Sequence, residues 1–274
     1  MIHAIPLAAV IGDPIAHSRS PALHGHWLRR YGLPGHYVPL PITPDDFARL
    51  LPLLPRMGFV GANVTIPHKQ AALALADVVT PLALRIGAAN TLTFTPRGIE
   101  ADNTDAYGFS HNILGALPQW APRTVAVIGA GGASRAVLAA LKDLGAAEIR
   151  LTNRTADRAQ RLAERFGPGV IPVPWENRSD MLEGCDTLIN TTSLGMVNSP
   201  ALSLDLGALP RDAIVNDLVY APLETDLLAA ARPRGNACVD GLGMLLHQAA
   251  PGFHRWFGTN PQVDEELRRA VLLA

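Results

Sequence analysis

The segment Val125-Ala126-Val127-Ile128-Gly129-Ala130-Gly131-Gly132-Ala133-Ser134-Arg135 decides how this chain folds. An apolar strand, Thr124 to Ile128, stops at a glycine turn, and Ala133 to Leu144 then follows the apolar spacing of a packed helix. Unpaired backbone N–H groups and the positive end of a helix dipole therefore face one point, where a pyrophosphate fits. About twenty residues further on, a unit that prefers NAD places an Asp or Glu on the ribose hydroxyls. Here the second strand ends in Asn153-Arg154-Thr155, with Arg158 one helical turn later. A charge-assisted hydrogen bond is worth about 1.5–3 kcal/mol. Two arginines at that place select for the extra phosphate of NADP, less whatever solvent screening removes. Arg161 and Arg165 continue the same helical spacing and read as a solvated face. Ser134 stands where the third small residue of the glycine fingerprint is expected.

Working outward, 274 residues allow one large domain or two modest ones, and 48% hydrophobic residues suffice to build real cores. The formal net charge of −1 provides no global field to attract nucleic acid or a membrane surface. Two cysteines, Cys185 and Cys238, lie far apart without ligand spacing, which points to a reducing, cytoplasmic setting and no disulfide framework. The nine histidines form no recognisable ligand cluster, so no metal is expected. Leu7 to Ile11 is too short for a signal sequence and lacks a basic leader. No apolar run approaches the roughly 18 residues that would span a bilayer. A small-molecule substrate and a monomer or homodimer are the expected setting.

Strands and helices alternate along the chain. Strands are expected at Leu7–Ile11, His36–Leu40 and Gly61–Val64, and helices at Pro21–Tyr31, Asp45–Met57 and Lys69–Leu75. A short hairpin follows at Asn90–Thr95 and Ile99–Asp102. After the glycine unit come strands at Glu148–Thr152, Val170–Pro172, Thr187–Asn190, Ile214–Asp217 and Ala237–Val239, then helices at Leu242–Phe257 and Gln262–Leu273. Such alternation predicts α/β architecture with parallel sheets covered by helices. Because the glycine unit begins past residue 120, two lobes separated by a cleft are expected. An N-terminal α/β substrate domain, residues 1–105 completed by helices 242–274, would accompany a Rossmann-like NADP-binding domain, residues 106–241. Ligands would lie at strand carboxyl ends.

Polar groups just past the apolar strands are the candidates for chemistry. His17-Ser18-Arg19-Ser20-Pro21 precedes a helix, and its two hydroxyls with the helix amides suit a carboxylate. For Ser20, helix N-capping competes equally with that reading; Ser18 has no capping role and reads as functional. In Asn63-Val64-Thr65-Ile66-Pro67-His68-Lys69, Asn63 and Thr65 alternate onto one face. Lys69 falls in the first helical turn, where the dipole disfavours it. His68 reads as structural. Asp105, in Asp102-Asn103-Thr104-Asp105, either caps the following helix or pairs with Lys69. Asp240-Gly241-Leu242-Gly243-Met244 opens a helix whose Gln248 can face the cleft. Gly241 and Gly243 read either as a hinge or as ordinary helix-start glycines.

In order, Ser-x-Ser-Pro, Asn-Val-Thr-Ile-Pro-His-Lys, Gly-Ala-Ala-Asn-Thr, Asn-Thr-Asp-Ala-Tyr-Gly, Gly-Ala-Gly-Gly-Ala, Asn-Arg-Thr and Asp-Gly-Leu-Gly-Met-Leu resemble the shikimate dehydrogenase family from about residue 10 to the C-terminus. The resemblance implies reversible, NADPH-dependent reduction of 3-dehydroshikimate to shikimate, a step toward aromatic amino acids. It implies a substrate carboxylate on Ser18 and Ser20, and ring hydroxyls on Thr65, Asn90 and Gln248. Asn63 and Tyr220 are also counted at the substrate. Lys69 and Asp105 match the catalytic pair. Gly129, Ala130, Gly131, Gly132 and Ala133 would hold the pyrophosphate. Asn153, Arg154, Thr155 and Arg158 would hold the adenosine phosphate, and Thr192, Gly241 and Met244 the nicotinamide end. Thr191 departs from the family pattern, where Ala is common, and bears on cofactor fit.

Those residue types agree with ketone reduction, which needs hydride at carbon and a proton at the developing alkoxide. Two rivals are weighed. A quinate/shikimate dehydrogenase with broader substrate and cofactor use is opposed by Arg154 and Arg158. A non-enzymatic NADP-sensing module is opposed by the presence of both Lys69 and Asp105.

Overall fold

A computed structural model describes residues 5–274 of the chain. It divides into two compact units, one of Met1–Gly108 with Leu245–Ala274 and one of Phe109–Met244.

The first unit contains β1 (Leu7–Gly12), α1 (Ser20–Arg30), β2 (His36–Pro41), α2 (Pro44–Leu50), β3 (Phe59–Val64), α3 (Lys69–Ala74), β4 (Val78–Val79), α4 (Pro81–Ile86), β5 (Thr91–Thr95), β6 (Gly98–Asp102) and the start of α5 (Asp105–Ala116). Its sheet has the order β2-β1-β3-β5-β6-β4. It is mixed rather than parallel throughout: β5 runs antiparallel to both β3 and β6. The hairpin, joined by a two-residue turn, forces that reversal. The single helix expected over Asp45–Met57 is two elements, α2 and a 3-10 segment over Leu51–Met57. Pro52 and Pro55 bring no N–H to an α-helical ladder, so the chain tightens into i,i+3 turns.

Alternation along β1 explains the two cores of this unit. Ala9 and Ile11 pack with Phe47, Leu51 and Leu92 on one face, whereas Ala8 and Val10 pack with Tyr37 and Trp256 on the other. A sheet covered on both faces needs apolar residues at successive positions.

The second unit contains β7 (Thr124–Ile128), α6 (Gly132–Asp143), β8 (Glu148–Thr152), α7 (Ala156–Phe166), β9 (Val170–Val173), β10 (Thr187–Asn190), β11 (Ile214–Asp217), α8 (Asp226–Ala231) and β12 (Ala237–Val239). All pairings are parallel and the strand order is β12-β11-β10-β7-β8-β9. That is the doubly wound dinucleotide-binding order, which reverses between β7 and β10. Ala126 and Ile128 enter a core with Leu182, Leu206, Val215 and Leu228.

The chain closes with α9 (Leu242–Phe257) and α10 (Glu265–Leu272). Expected from Gln262, α10 begins later because Asp264 caps it, its Oδ1 accepting from the Leu267 N–H at 3.0 Å. Arg19 Nη1 donates to the carbonyls of Val271 at 2.7 Å and Leu272 at 3.1 Å, binding this helix end to the start of α1. Trp27 Nε1 donates to Gln262 O at 2.9 Å, and Arg30 pairs with Asp264 at 2.7 Å.

Trp256 crosses β3 at Gly61 and donates its indole N–H to Leu92 O at 3.0 Å. A Cβ at residue 61 would lie 2.0 Å from Trp256 Nε1 and 2.4 Å from Leu92 O, leaving neither group room to yield. Gly61→Ala should cost about 3 kcal/mol, the upper end for overpacking, and lower Tm by about 6–12 °C. Differential scanning calorimetry checks this, and an unchanged Tm contradicts the packing account.

Candidate active site

In the first unit Asn63, Lys69, Asn90, Asp105 and Gln248 come together where β3 and β6 end and β5 begins. Asp105 opens α5 and is 5% exposed. Its Oδ2 accepts from Lys69 Nζ at 2.5 Å, and its Oδ1 from Asn90 Nδ2 at 2.7 Å. Of the two readings for Asp105, partner of Lys69 is the one its side chain adopts. Asn103 serves the helix start instead, its Oδ1 accepting from the Asp105 N–H at 3.0 Å.

Asn90 is the hub. Its Oδ1 accepts from the Thr104 N–H at 2.7 Å, which fixes the amide's orientation and turns both N–H bonds the other way. One goes to Asp105, and the other meets Gln248 Oε1 at 3.2 Å. Gln248 Nε2 donates to Leu245 O at 3.0 Å. Asn63 lies one layer back: its Oδ1 accepts from the Tyr37 hydroxyl at 2.7 Å, and its Nδ2 donates to Asn90 O at 3.1 Å and Thr91 Oγ1 at 3.2 Å. Thr65 stays outside this cluster, its backbone N–H donating to Ile11 O at 2.9 Å. His68 is buried and structural, with Nε2 2.7 Å from Ile42 O and its ring stacked on Phe47.

At the serine motif two expectations change. Ser20 is the first residue of α1 rather than its cap; the cap position falls on Arg19 and carries no side-chain cap. Ser18 does support the helix start, because its Oγ accepts from the Ser20 N–H at 3.3 Å. Pro21 in the first turn brings no N–H of its own, and none is needed there.

Behind Ser20 and Asn63 stands an aromatic group with a histidine inside it. His24 is wholly buried and stacks on Tyr37 at 3.9 Å, near Trp27, Phe253 and Trp256. Burial pulls His24 down to about 3, with the Asn63 side chain offsetting only part. Burial likewise raises the Tyr37 phenol well above its ordinary value, against a smaller opposing contribution from Ser20. The Tyr37 ring therefore keeps its proton, and His24 stays neutral.

In the second unit Gly129 follows β7 with φ +107. A Cβ there would lie 2.7 Å from both Thr191 Oγ1 and Thr192 Cγ2, so glycine serves both conformation and contact. The Ala130 N–H donates to Asn153 Oδ1 at 3.1 Å, which ties the glycine turn to the end of β8. Helix α6 starts with Gly131 at its cap position and carries no side-chain cap and no acid in its first turn. Ser134 turns inward and donates to Gly131 O at 2.8 Å, which explains how a hydroxyl replaces the third small residue. Thr191 Oγ1 donates to Ile128 O at 2.8 Å, bracing the end of β7. Arg154, Thr155 and Arg158 are exposed beyond β8.

Asn190 ends β10 between two groups. It donates Nδ2 to Asp217 Oδ1 at 2.9 Å and accepts from Thr192 N and Oγ1 at 3.0 and 2.7 Å. Burial raises the Asp217 carboxyl despite hydrogen bonds from Val219, Thr225 and Asn190. Tyr220 is half-buried in the loop after β11, and Met244 is buried. A Cβ at Gly241 would lie 2.1 Å from Leu218 O, and one at Gly243 1.9 Å from Asn112 Oδ1. Close packing requires glycine at both positions. Among the described residues no group of three or more His, Cys, Asp or Glu is placed to hold a metal ion, and no helix is long and apolar enough to cross a membrane.

Tyr37, Thr91 and Thr104 are absent from the sequence expectations. The signal that was available is the repeated Asn-Thr pair at 90–91 and 103–104, polar residues at the ends of strands that are otherwise apolar.

These two units define an α/β protein with a doubly wound nucleotide-binding sheet and a separate unit built around a part-buried Lys–Asp pair. Three family models match: a shikimate dehydrogenase substrate binding domain over residues 10–92, shikimate / quinate 5-dehydrogenase over 112–198, and a shikimate 5'-dehydrogenase C-terminal domain over 241–272. A protein from Paracoccus denitrificans named shikimate dehydrogenase (NADP(+)) is 58% identical over 270 residues, 97% of this chain and 96% of that one. The shikimate 5-dehydrogenase of Thermus thermophilus, solved with NADP(H) and shikimate, has TM-score 0.88 and 37% identity, covering 97% of this chain and 98% of that one. A quinate dehydrogenase from Corynebacterium glutamicum, solved with NAD, has TM-score 0.91 and 33% identity, covering 98% and 99%. The chain belongs to the shikimate dehydrogenase family.

The buried histidine makes stability depend on pH with a definite sign. Its folded pKa lies below its unfolded one, so the unfolded chain takes up a proton that the fold refuses. Stability from this group is complete above about pH 6.5 and is lost as pH falls toward 3. Between pH 6.5 and 5 the loss is on the order of 2 kcal/mol, or about 5 °C in Tm. His24→Phe should flatten that part of the Tm-versus-pH curve relative to wild type; parallel curves contradict the assignment.

Proposed function

We propose that the protein catalyses the reversible, NADPH-dependent reduction of 3-dehydroshikimate to shikimate. The unit holding β1–β6 binds the substrate and the unit holding β7–β12 binds the nucleotide. One observation carries this reading: Lys69 Nζ lies 2.5 Å from a carboxylate whose other oxygen is already taken by Asn90. An ammonium held at one point by a buried acid is a positioned proton donor.

The second unit fits NADP by its own features. The start of α6 leaves its amides uncapped, the turn before it admits only glycine at Gly129, and no acid follows β8 where NAD's ribose would require one. Gly129, Ala130, Gly131, Gly132 and Ala133 would hold the pyrophosphate, and Asn153, Arg154, Thr155 and Arg158 the adenosine phosphate. Thr192, Gly241 and Met244 would flank the nicotinamide, with Thr192 held by Asn190. When bound, the nucleotide supplies hydride for ketone reduction.

Within the first unit Ser18 and Ser20 bind the substrate carboxylate, while Thr65, Asn90 and Gln248 meet the ring hydroxyls and Asn63 supports Asn90 from behind. Lys69 gives its proton to the oxygen of the reduced carbonyl, and Asp105 holds the ammonium in line and balances its charge. In the oxidative direction Lys69 takes the hydroxyl proton back. The arginines after β8 favour this reading over a quinate dehydrogenase that uses NAD. The protein works as a cytoplasmic monomer or homodimer on a small molecule, without nucleic acid; its net charge of −1 and two free cysteines support that setting.

Following NADP reduction at 340 nm tests the activity: shikimate should be oxidised with kcat/KM well above that for quinate, and an equal or higher value for quinate overturns the substrate assignment. Lys69→Ala should lower kcat by about 10²–10⁴-fold, the range of positioned proton transfer, with little change in shikimate KM. Turnover near wild type would remove Lys69 from the reaction. Arg154→Ala should raise the NADPH KM about tenfold, the loss of one charge-assisted hydrogen bond, and leave NADH use unchanged. Equal loss with both nucleotides contradicts the phosphate assignment.

A further inference from the structure

We propose that Tyr37 and Thr91 are positioning residues for the Lys69–Asp105 pair, acting through a buried line of hydrogen bonds whose donors all point toward the Asp105 carboxylate. The inference rests on the proton-transfer reading of that pair given above.

The Tyr37 hydroxyl donates to Asn63 Oδ1 at 2.7 Å, and Asn63 Nδ2 donates to Thr91 Oγ1 at 3.2 Å. Thr91 Oγ1 donates to Asn90 Oδ1 at 3.0 Å, and Asn90 Nδ2 to Asp105 Oδ1 at 2.7 Å. Thr91 also lies 3.0 Å from Thr104 Oγ1, which itself donates to Asn90 Oδ1 at 3.2 Å, so either path ends on the same oxygen. The direction is set by groups that have no choice. Thr104 N–H can only donate and Asn90 O can only accept, which fixes both amides. A carboxylate at the far end accepts only, so apart from the Thr91–Thr104 contact no link can reverse without leaving a buried donor facing a donor.

Aligned donors polarise one another in a dry interior. Thr91 is completely buried, and Asn63, Asn90 and Thr104 are 5% exposed or less. Removing the Thr91 hydroxyl leaves the Asn63 amide short of an acceptor and leaves Asn90 Oδ1 to Thr104 alone. The amide that grips Asp105 is then less firmly held, and with it the carboxylate that holds Lys69.

The chain contains two lysines, Lys69 and Lys142, so amine chemistry reports on the pair directly. Lys142 lies on α6, in the other unit, and serves as the internal standard. Wild type, Thr91→Val and Thr91→Ser are treated with trace acetic anhydride, and the Lys69:Lys142 labelling ratio is read by mass spectrometry. In the same preparations kcat and KM for shikimate are measured. Valine keeps the bulk of threonine and lacks its hydroxyl, whereas serine keeps the hydroxyl and loses a methyl.

Thr91→Val should raise the labelling ratio about threefold or more and lower kcat about tenfold, the span of a lost buried hydrogen bond, with shikimate KM within about twofold. Thr91→Ser should match wild type in both. A merely structural role would make serine and valine lose alike and would leave the labelling ratio unmoved; either result overturns the proposal. If Thr91→Val does not fold by circular dichroism, Tyr37→Phe, which keeps the ring on His24, should change the same two readouts in the same direction. If the wild type does not oxidise shikimate, the functional reading fails, and the labelling ratio alone still decides this one.

Discussion

A carboxylate inside a protein must be surrounded by donors, and Asp105 sets that requirement for the whole first unit. Removing a charge from water costs several kcal/mol even after relaxation, and an attached ammonium offsets this only when the remaining lone pairs are also met. Lys69 meets one oxygen and Asn90 the other. Asn90 can do so only if its own oxygen is held by donors, which Thr104 and Thr91 provide. The close of the β5–β6 hairpin, the first turn of α5 and the end of β3 are therefore positioned by one charge. Each places a residue within reach of the same amide.

Much of this could be read from the chain before any coordinates. The strand-turn-helix at Val125–Arg135 declared the nucleotide unit because its signals are local: an apolar run, glycines and helical spacing. Lys69 and Asp105 were visible as polar residues just past apolar strands. What stayed hidden was the layer behind them. Tyr37 and Thr91 look like ordinary strand residues, β-formers with amphipathic side chains, and only register brings Thr91 opposite Asn63. The 3-10 segment at Leu51–Met57 mimics an α-helix in its apolar spacing, while its prolines veto one. Ser18 supports the start of α1 from before the cap position, where the local pattern gives no capping signal.

In the nucleotide unit two apparent departures from pattern have the same physical explanation. Ser134 and Thr191 both add a hydroxyl where a smaller residue would serve, and each directs it to a backbone carbonyl of the glycine loop, Gly131 O and Ile128 O. Neither hydroxyl is left to project toward a ligand. Both make the loop stiffer, which suits a site whose donors are backbone amides rather than movable side chains.

The contact of Arg19 with the carbonyls of Val271 and Leu272 also carries a consequence for synthesis. The first unit is completed by residues that are made only after the whole second unit. The intervening unit, Phe109–Met244, is contiguous and can close while translation continues. Early strands must therefore wait, with apolar faces uncovered, until α9 and α10 emerge. A chain cut short before residue 265 would therefore hold a complete second unit and an unfinished first one.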